Sequence, residues 1–184
     1  RLFKGTKPKS DEKVTLQDRV RIKDANGKMP AWPTDPAQHT AYGAMQELLF
    51  DAIWRRGSDV RMDFIPDQPV KTTVRIDGVD RAREPLDPGV GTLVLAHLKK
   101  MAGMNPEEHR RPQTGHFKAT IGAGGKGDKA VEVQAKTAGS TAGQRFALRL
   151  ITEESKFRLP DLGLTPQQLP VLKQIRDEHK GVVI

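Results

Sequence analysis

At 184 residues and 20.4 kDa, the chain has room for one generous domain with extensions, not for two full cores. Its 36% hydrophobic content suits a globular fold, and with no cysteine it cannot build disulfide scaffolds or thiolate metal sites. The longest apolar runs, such as Val182–Ile184, fall far short of the ~20 residues a membrane-spanning helix needs; the formal charge of +8 favours polyanionic partners such as nucleotide phosphates, nucleic acid or an anionic surface.

The chain opens on Arg1 without an apolar signal core, and Gly181-Val182-Val183-Ile184 reads as the start of a buried strand. The expectation is a piece of a longer protein. Residues 1–39 read as an arm or linker, polar and punctuated by Pro8, Pro30, Pro33 and Pro36, with one strand-like alternation from Val14 to Ile22. From Thr40 a helical period takes over. Tyr42, Met45, Leu48, Leu49, Ala52 and Ile53 form one apolar stripe, Arg55 and Arg56 sit in the last turn, and Gly57 is placed to cap the end. Asp59 to Phe64 alternates as a strand. Val70 to Ile76 is a second, and Asp77-Gly78 predicts a tight hairpin because both turn positions need positive φ.

A second helix is predicted over Pro88–Met101, with Asp87 as N-cap, Pro88 in the first turn and Gly103 as the stop. Strands follow at Phe117–Ile121, Ala130–Lys136 and Gln144–Thr152, the first two joined by the glycine-rich Gly122–Asp128. After a linker, Thr165-Pro166-Gln167-Gln168 has the form of a capping box opening a helix with Leu169, Leu172 and Ile175 on one face. Strands joined by hairpins outnumber helices, so the fold class is α+β with a largely antiparallel sheet and flanking helices. The division by residue is 1–39, 40–155 and 156–184.

Few residues point to chemistry. Gly122-Ala123-Gly124-Gly125-Lys126-Gly127 matches G-x-G-x-x-G, but a strand follows it where a dinucleotide site needs a helix, so it reads as a hairpin loop. No G-x-x-x-x-G-K-S/T phosphate loop occurs in the chain. His39, His97, His109, His116 and His179 lack zinc-ligand spacing, and Ser58 and Ser140 have no base that spacing identifies. Stand-alone catalysis is not expected. The arginines are more informative: Arg75 enters a tight turn, and Arg149 shares a strand face with Ala147 and Ile151, opposite the face of Phe146, Leu148 and Leu150. Such an arginine seeks a carboxylate or a phosphate.

Taken in series, several motifs resemble the ATPases of type II secretion and type IV pilus assembly. These are Gly57-Ser58-Asp59-Val60-Arg61-Met62-Asp63, Val74-Arg75-Ile76-Asp77-Gly78-Val79, Leu98–Met104 running into Arg110–Gly115, Gly143–Leu150, and Leu162–Leu169 before Gly181–Ile184. The resemblance implies a PAS-like α+β domain preceding a RecA-like ATPase core, with a C-terminal helix leading to that core, in a homo-hexamer. It implies that Arg149, and less closely Arg75, face nucleotide phosphates, with ATP and Mg bound by the full-length protein and none by this piece. It also implies a cytoplasmic location, peripheral to the inner membrane through secretion or pilus platform proteins. The chain departs from the family pattern at Gln134, where R-V-S-T is usual, and at His116, where P-Q-D-G-R ends. The competing expectation, from charge alone, is a basic nucleic-acid-binding module, whose complexes would weaken steeply with salt.

Overall fold

The computed structural model describes residues 20–122, 128–152 and 159–178. It divides into two units, residues 1–151 and residues 152–184. The first unit is built on a seven-stranded sheet of order β1-β5-β6-β7-β2-β3-β4. Its strands are β1 (Val20–Lys23), β2 (Asp59–Phe64), β3 (Lys71–Ile76), β4 (Val79–Ala82), β5 (Gln113–Ile121), β6 (Lys129–Gly139) and β7 (Gln144–Thr152). The pairings β1–β5, β5–β6, β7–β2, β2–β3 and β3–β4 are antiparallel. Among the described residues of this unit there are two helices, α1 (Pro36–Trp54) and α2 (Pro88–Met101). The class is therefore α+β with an antiparallel sheet.

Strand alternation sorts the residues into two faces. Val60 and Met62 of β2, Val74 of β3, Phe117 and Ala119 of β5, Val133 of β6 and Phe146 and Leu148 of β7 are buried. Together with the α1 stripe of Tyr42, Met45, Leu49, Ala52 and Ile53 and with Val94, Leu98 and Met101 of α2, they form one apolar core. The odd positions of β2 and β7 and the even positions of β5 and β6 point the other way, and all the charged side chains of these four strands but Lys129 lie there.

Local signals explain the helix ends. Asp87 accepts hydrogen bonds from the Gly89 and Val90 backbone N–H groups, and Pro88 needs no partner at the first position. Gly103 closes α2 with φ of +71°, while Gly103 N–H donates to Lys100 O and Met104 N–H to Lys99 O. Helix α1 differs from expectation at both ends. It starts at Pro36, capped by Asp35, whose side chain accepts from Gln38 N–H. At its C-terminus the left-handed position belongs to Arg56 (φ +58°), not to Gly57. Gly57 instead meets the sheet: a Cβ there would lie 2.9 Å from Val74 Cγ1 and 3.0 Å from Ala52 O. Arg55 is the cap residue, one place beyond the last turn where the charge pattern put it.

β1 adds an edge strand from the segment read as an arm: Val20 and Ile22 are buried, and Val20 lies opposite Ile121. Val14 and Leu16 lie outside the described residues. The Asp77-Gly78 turn has φ of +50° and +78°, as the hairpin signal requires. β5 and β6 pair antiparallel up to Ile121 opposite Lys129, so the glycine-rich segment links two strands; residues 123–127 lie outside the described residues. β5 also starts earlier than its apolar pattern, at Gln113.

In the second unit, a 3-10 turn (Leu159–Leu162) precedes helix α3 (Gln168–Asp177). The capping box forms: Thr165 N–H donates to Gln168 Oε1 at 3.0 Å and Gln168 N–H to Thr165 Oγ1 at 3.3 Å. Leu169, Leu172 and Ile175 make the half-buried stripe of α3, while Val171 is exposed.

One half-buried titratable group predicts a pH response. His97 on α2 packs edge-on against Tyr42, ring centroids 5.3 Å apart, and its Nε2 is buried without a hydrogen-bond partner. Burial pushes its pKa below the ordinary histidine value, opposed by a hydrogen bond with the Gln38 backbone and helped by the nearby Lys100 charge. The unfolded chain therefore binds the proton first, at about pH 6.5, and stability falls as pH drops through that value toward the lower folded pKa. Urea midpoints measured from pH 7.5 to 5.5 should decline for the native chain and decline less for His97→Phe. Equal slopes would contradict the assignment.

Candidate phosphate-facing site

Ser58 sets the registration of the charged face. Its N–H donates to Arg75 O at 2.9 Å, and its carbonyl accepts from Leu150 N–H at 2.8 Å, tying the start of β2 to both neighbouring strands. Asp59, the next residue, consequently stands directly opposite Arg75 on β3 and Arg149 on β7. Arg75 in turn stands opposite Asp80 on β4. One row across four strands reads Arg149, Asp59, Arg75, Asp80, alternating in sign.

The contacts within this row are unequal. Arg75 Nε donates to Asp80 Oδ1 at 2.8 Å and Arg75 Nη2 to Asp80 Oδ2 at 3.5 Å. Arg61 Nη1 reaches the same carboxylate at 3.3 Å. Arg149 holds Asp59 Oδ1 through Nε alone, at 3.4 Å, and its side chain is 70% exposed. Asp59 is itself steadied by the Ser58 hydroxyl, which donates to Oδ2 at 2.8 Å. Hydrogen bonding with Asp80 holds the Arg75 pKa above its ordinary value, and Arg75 holds Asp80 below the usual carboxylate value. Two rows further along this face, Arg145 Nε donates to Asp63 Oδ1 at 2.7 Å, which raises the arginine pKa.

Exposed pairs of this kind are screened by solvent, hold weakly and exchange readily for a competing anion. The structure thus brings Arg149 and Arg75 to one row of an open sheet face with both guanidinium groups paired to carboxylates. Asp59 and Asp80 are the partners that sequence reasoning missed. A signal existed: Asp59, Arg61 and Asp63 alternate along β2, and Arg145 and Arg149 share one parity of β7. The strand order that aligns them does not follow from either segment alone.

The two departures from the family pattern also meet. His116 on β5 and Gln134 on β6 are directly opposite, flanked by the Thr114–Lys136 and Lys118–Glu132 pairs. Neither β5 nor β6 itself supplies an arginine. A cleft of about 600 Å³ lies elsewhere, at the opposite end of β2 from Asp59. Phe64, Val70 and Leu95 line it, with His109 and Arg110 at its side; His109 Nδ1 lies 3.3 Å from Gln144 Oε1. Neither Arg149 nor Arg75 borders that cleft.

Comparison with known proteins places the fold in context. A family model described as type II/IV secretion system protein matches residues 38–184. A type II secretion system protein E from Klebsiella pneumoniae is 31% identical over 140 residues, covering 74% of this chain and 27% of that protein. The protein transport protein HofB homolog of Escherichia coli is 28% identical over 141 residues, 76% of this chain and 29% of its own. The type IV pilus assembly ATPase PilB of Thermus thermophilus is 26% identical over 164 residues, 88% of this chain and 18% of its own. The chain spans 18–29% of the length of these relatives.

Proposed function

The chain belongs to the type II/IV secretion system protein family, and from that premise we propose that it is the regulatory and oligomerisation part of a secretion or pilus-assembly motor. In this reading the α+β unit is a PAS-like domain that packs on a RecA-like ATPase core of the same or a neighbouring subunit. It presents Arg149 and Arg75 to the phosphates of ATP bound there with Mg. The assembly is a homo-hexamer on the cytoplasmic side of the inner membrane, attached through platform proteins.

The observation that carries this reading is the alignment of Arg149 and Arg75 on either side of Asp59 in one row across the sheet. A guanidinium fork matches phosphate oxygens as well as it matches a carboxylate, and a phosphate offers more negative charge. Arg149 is the readier of the two, because its single contact is long while Arg75 is held twice by Asp80. An arginine fixed beside a transferring phosphoryl group stabilises the charge that develops there. With His116 and Gln134 in place of family arginines, that charge falls to β7 and β3. This chain alone is not expected to hydrolyse ATP. In the intact motor Arg149→Ala should lower ATP turnover by at least about tenfold; unchanged turnover would sink the role assigned to this residue.

A further inference from the structure

Asp59 is the one carboxylate set opposite both proposed phosphate-facing arginines, and it has a role of its own. Its Oδ2 is fixed by the Ser58 hydroxyl at 2.8 Å, leaving Oδ1 to Arg149 at 3.4 Å. The Asp59 side chain is 24% exposed, against 70% for Arg149: a held anion beside a loose cation. We infer that Asp59 is a resident counter-ion that parks Arg149 on the sheet and sets the threshold at which a phosphate can recruit it. This rests on the reading of Arg149 given above and adds its regulation.

The physical basis is competition. A phosphate that approaches Arg149 must displace Asp59 and then face its negative charge at close range, so the carboxylate opposes binding twice. The partial exposure of the pair keeps the exchange reversible. Asp80 does the same for Arg75 with better geometry, which leaves Arg75 more tightly parked. Asparagine at position 59 keeps the acceptor for Ser58 while removing the charge that holds Arg149.

Binding of inorganic tripolyphosphate to the full 184-residue chain, measured by calorimetry at ~50 mM salt, tests this. Asp59→Asn should bind roughly three- to tenfold tighter than the native chain. Adding Arg149→Ala should abolish the gain. Asp63→Asn, which removes the same charge from the same face beside Arg145, controls for net charge and should gain less than twofold. Circular dichroism confirms that each variant is folded. If Asp59→Asn binds no tighter while Arg149→Ala still weakens binding, the gate is wrong and the phosphate-facing reading survives. Equal gains from Asp63→Asn and Asp59→Asn would also overturn it. If Arg149→Ala changes nothing in either background, or no variant binds, the gate is overturned, and the turnover of the intact motor decides the phosphate-facing role by itself.

Discussion

Gly115→Ala is expected to cost at least about 3 kcal/mol of stability, lowering the thermal midpoint by about 6–12 °C. Gly115 lies in β5, opposite Ala135 of β6, where the C-terminus of α2 crosses closely over the strand. A Cβ on Gly115 would overlap the carbonyl oxygen of Ala102 and sit 2.9 Å from its carbonyl carbon. Both are backbone atoms of the residue that caps α2, so no side-chain rotation can make room. The helix must lift off the sheet, or β5 must shift against β6, and either opens the core around Met101 and Phe117. Thermal unfolding followed by circular dichroism reads the effect. A midpoint within about 2 °C of the native one would show that the helix end is free to move, contrary to this packing.

Lys99→Ala should cost about 2–4 kcal/mol, the second large effect. Lys99 is fully buried on α2, yet its Nζ donates to Pro106 O at 3.2 Å and Glu108 O at 2.7 Å. Burial lowers its pKa below the ordinary lysine value, partly offset by the Glu108 and Glu107 charges. The ammonium therefore ties the α2–β5 connection to the helix from within. Truncation leaves a void and removes the donor to Pro106 O, while Glu108 O keeps the Gln113 side chain at 3.2 Å. Lys99→Met fills most of the void and restores no donor, so it should fall between the native chain and Lys99→Ala in urea midpoint. If Lys99→Met matched Lys99→Ala, packing would contribute nothing and hydrogen bonding everything; if both matched the native chain, the lysine would not hold the loop.

These two residues mark the limits of what the sequence displays. Elements with strong periodicity and clear caps are read to the residue: β2 from its alternation, α2 from Asp87, Pro88 and Gly103, and β7 from Phe146, Leu148 and Leu150. The start of β5 is not, because Gln113–His116 carries no apolar alternation and is strand only through its pairing with Gln134–Thr137. Position 56 hides for another reason. Arginine rarely takes positive φ, so the glycine one residue later draws the cap assignment. Nothing in the sequence marks Lys99 as buried; the loop folded over it explains its burial. At the site, the arginines of interest are visible as strand residues facing away from the core. The carboxylate that stands between them is not, because Asp59 meets Arg149 across 90 residues of chain.

The row of alternating charge is a property of strand order. β2 sits between β7 and β3, so a motif around Asp59 and motifs around Arg75 and Arg149, far apart in sequence, become one surface. That arrangement also gives a physical meaning to the series of motifs by which the chain resembles secretion and pilus motors. Gly57 lets α1 approach the sheet, Ser58 locks three strands together, and Asp59 pairs with what they carry.

The most direct measurement is ATP turnover by the intact motor with Arg149 replaced in two ways. Arg149→Ala removes the charge, and Arg149→Lys keeps it as a point without the planar fork. If Arg149 faces the transferring phosphate, turnover falls by at least about tenfold with alanine and recovers in part with lysine. Turnover equal to that of the native motor in both variants would contradict the account, leaving Arg149 as a surface ion-pair partner of Asp59 and nothing more.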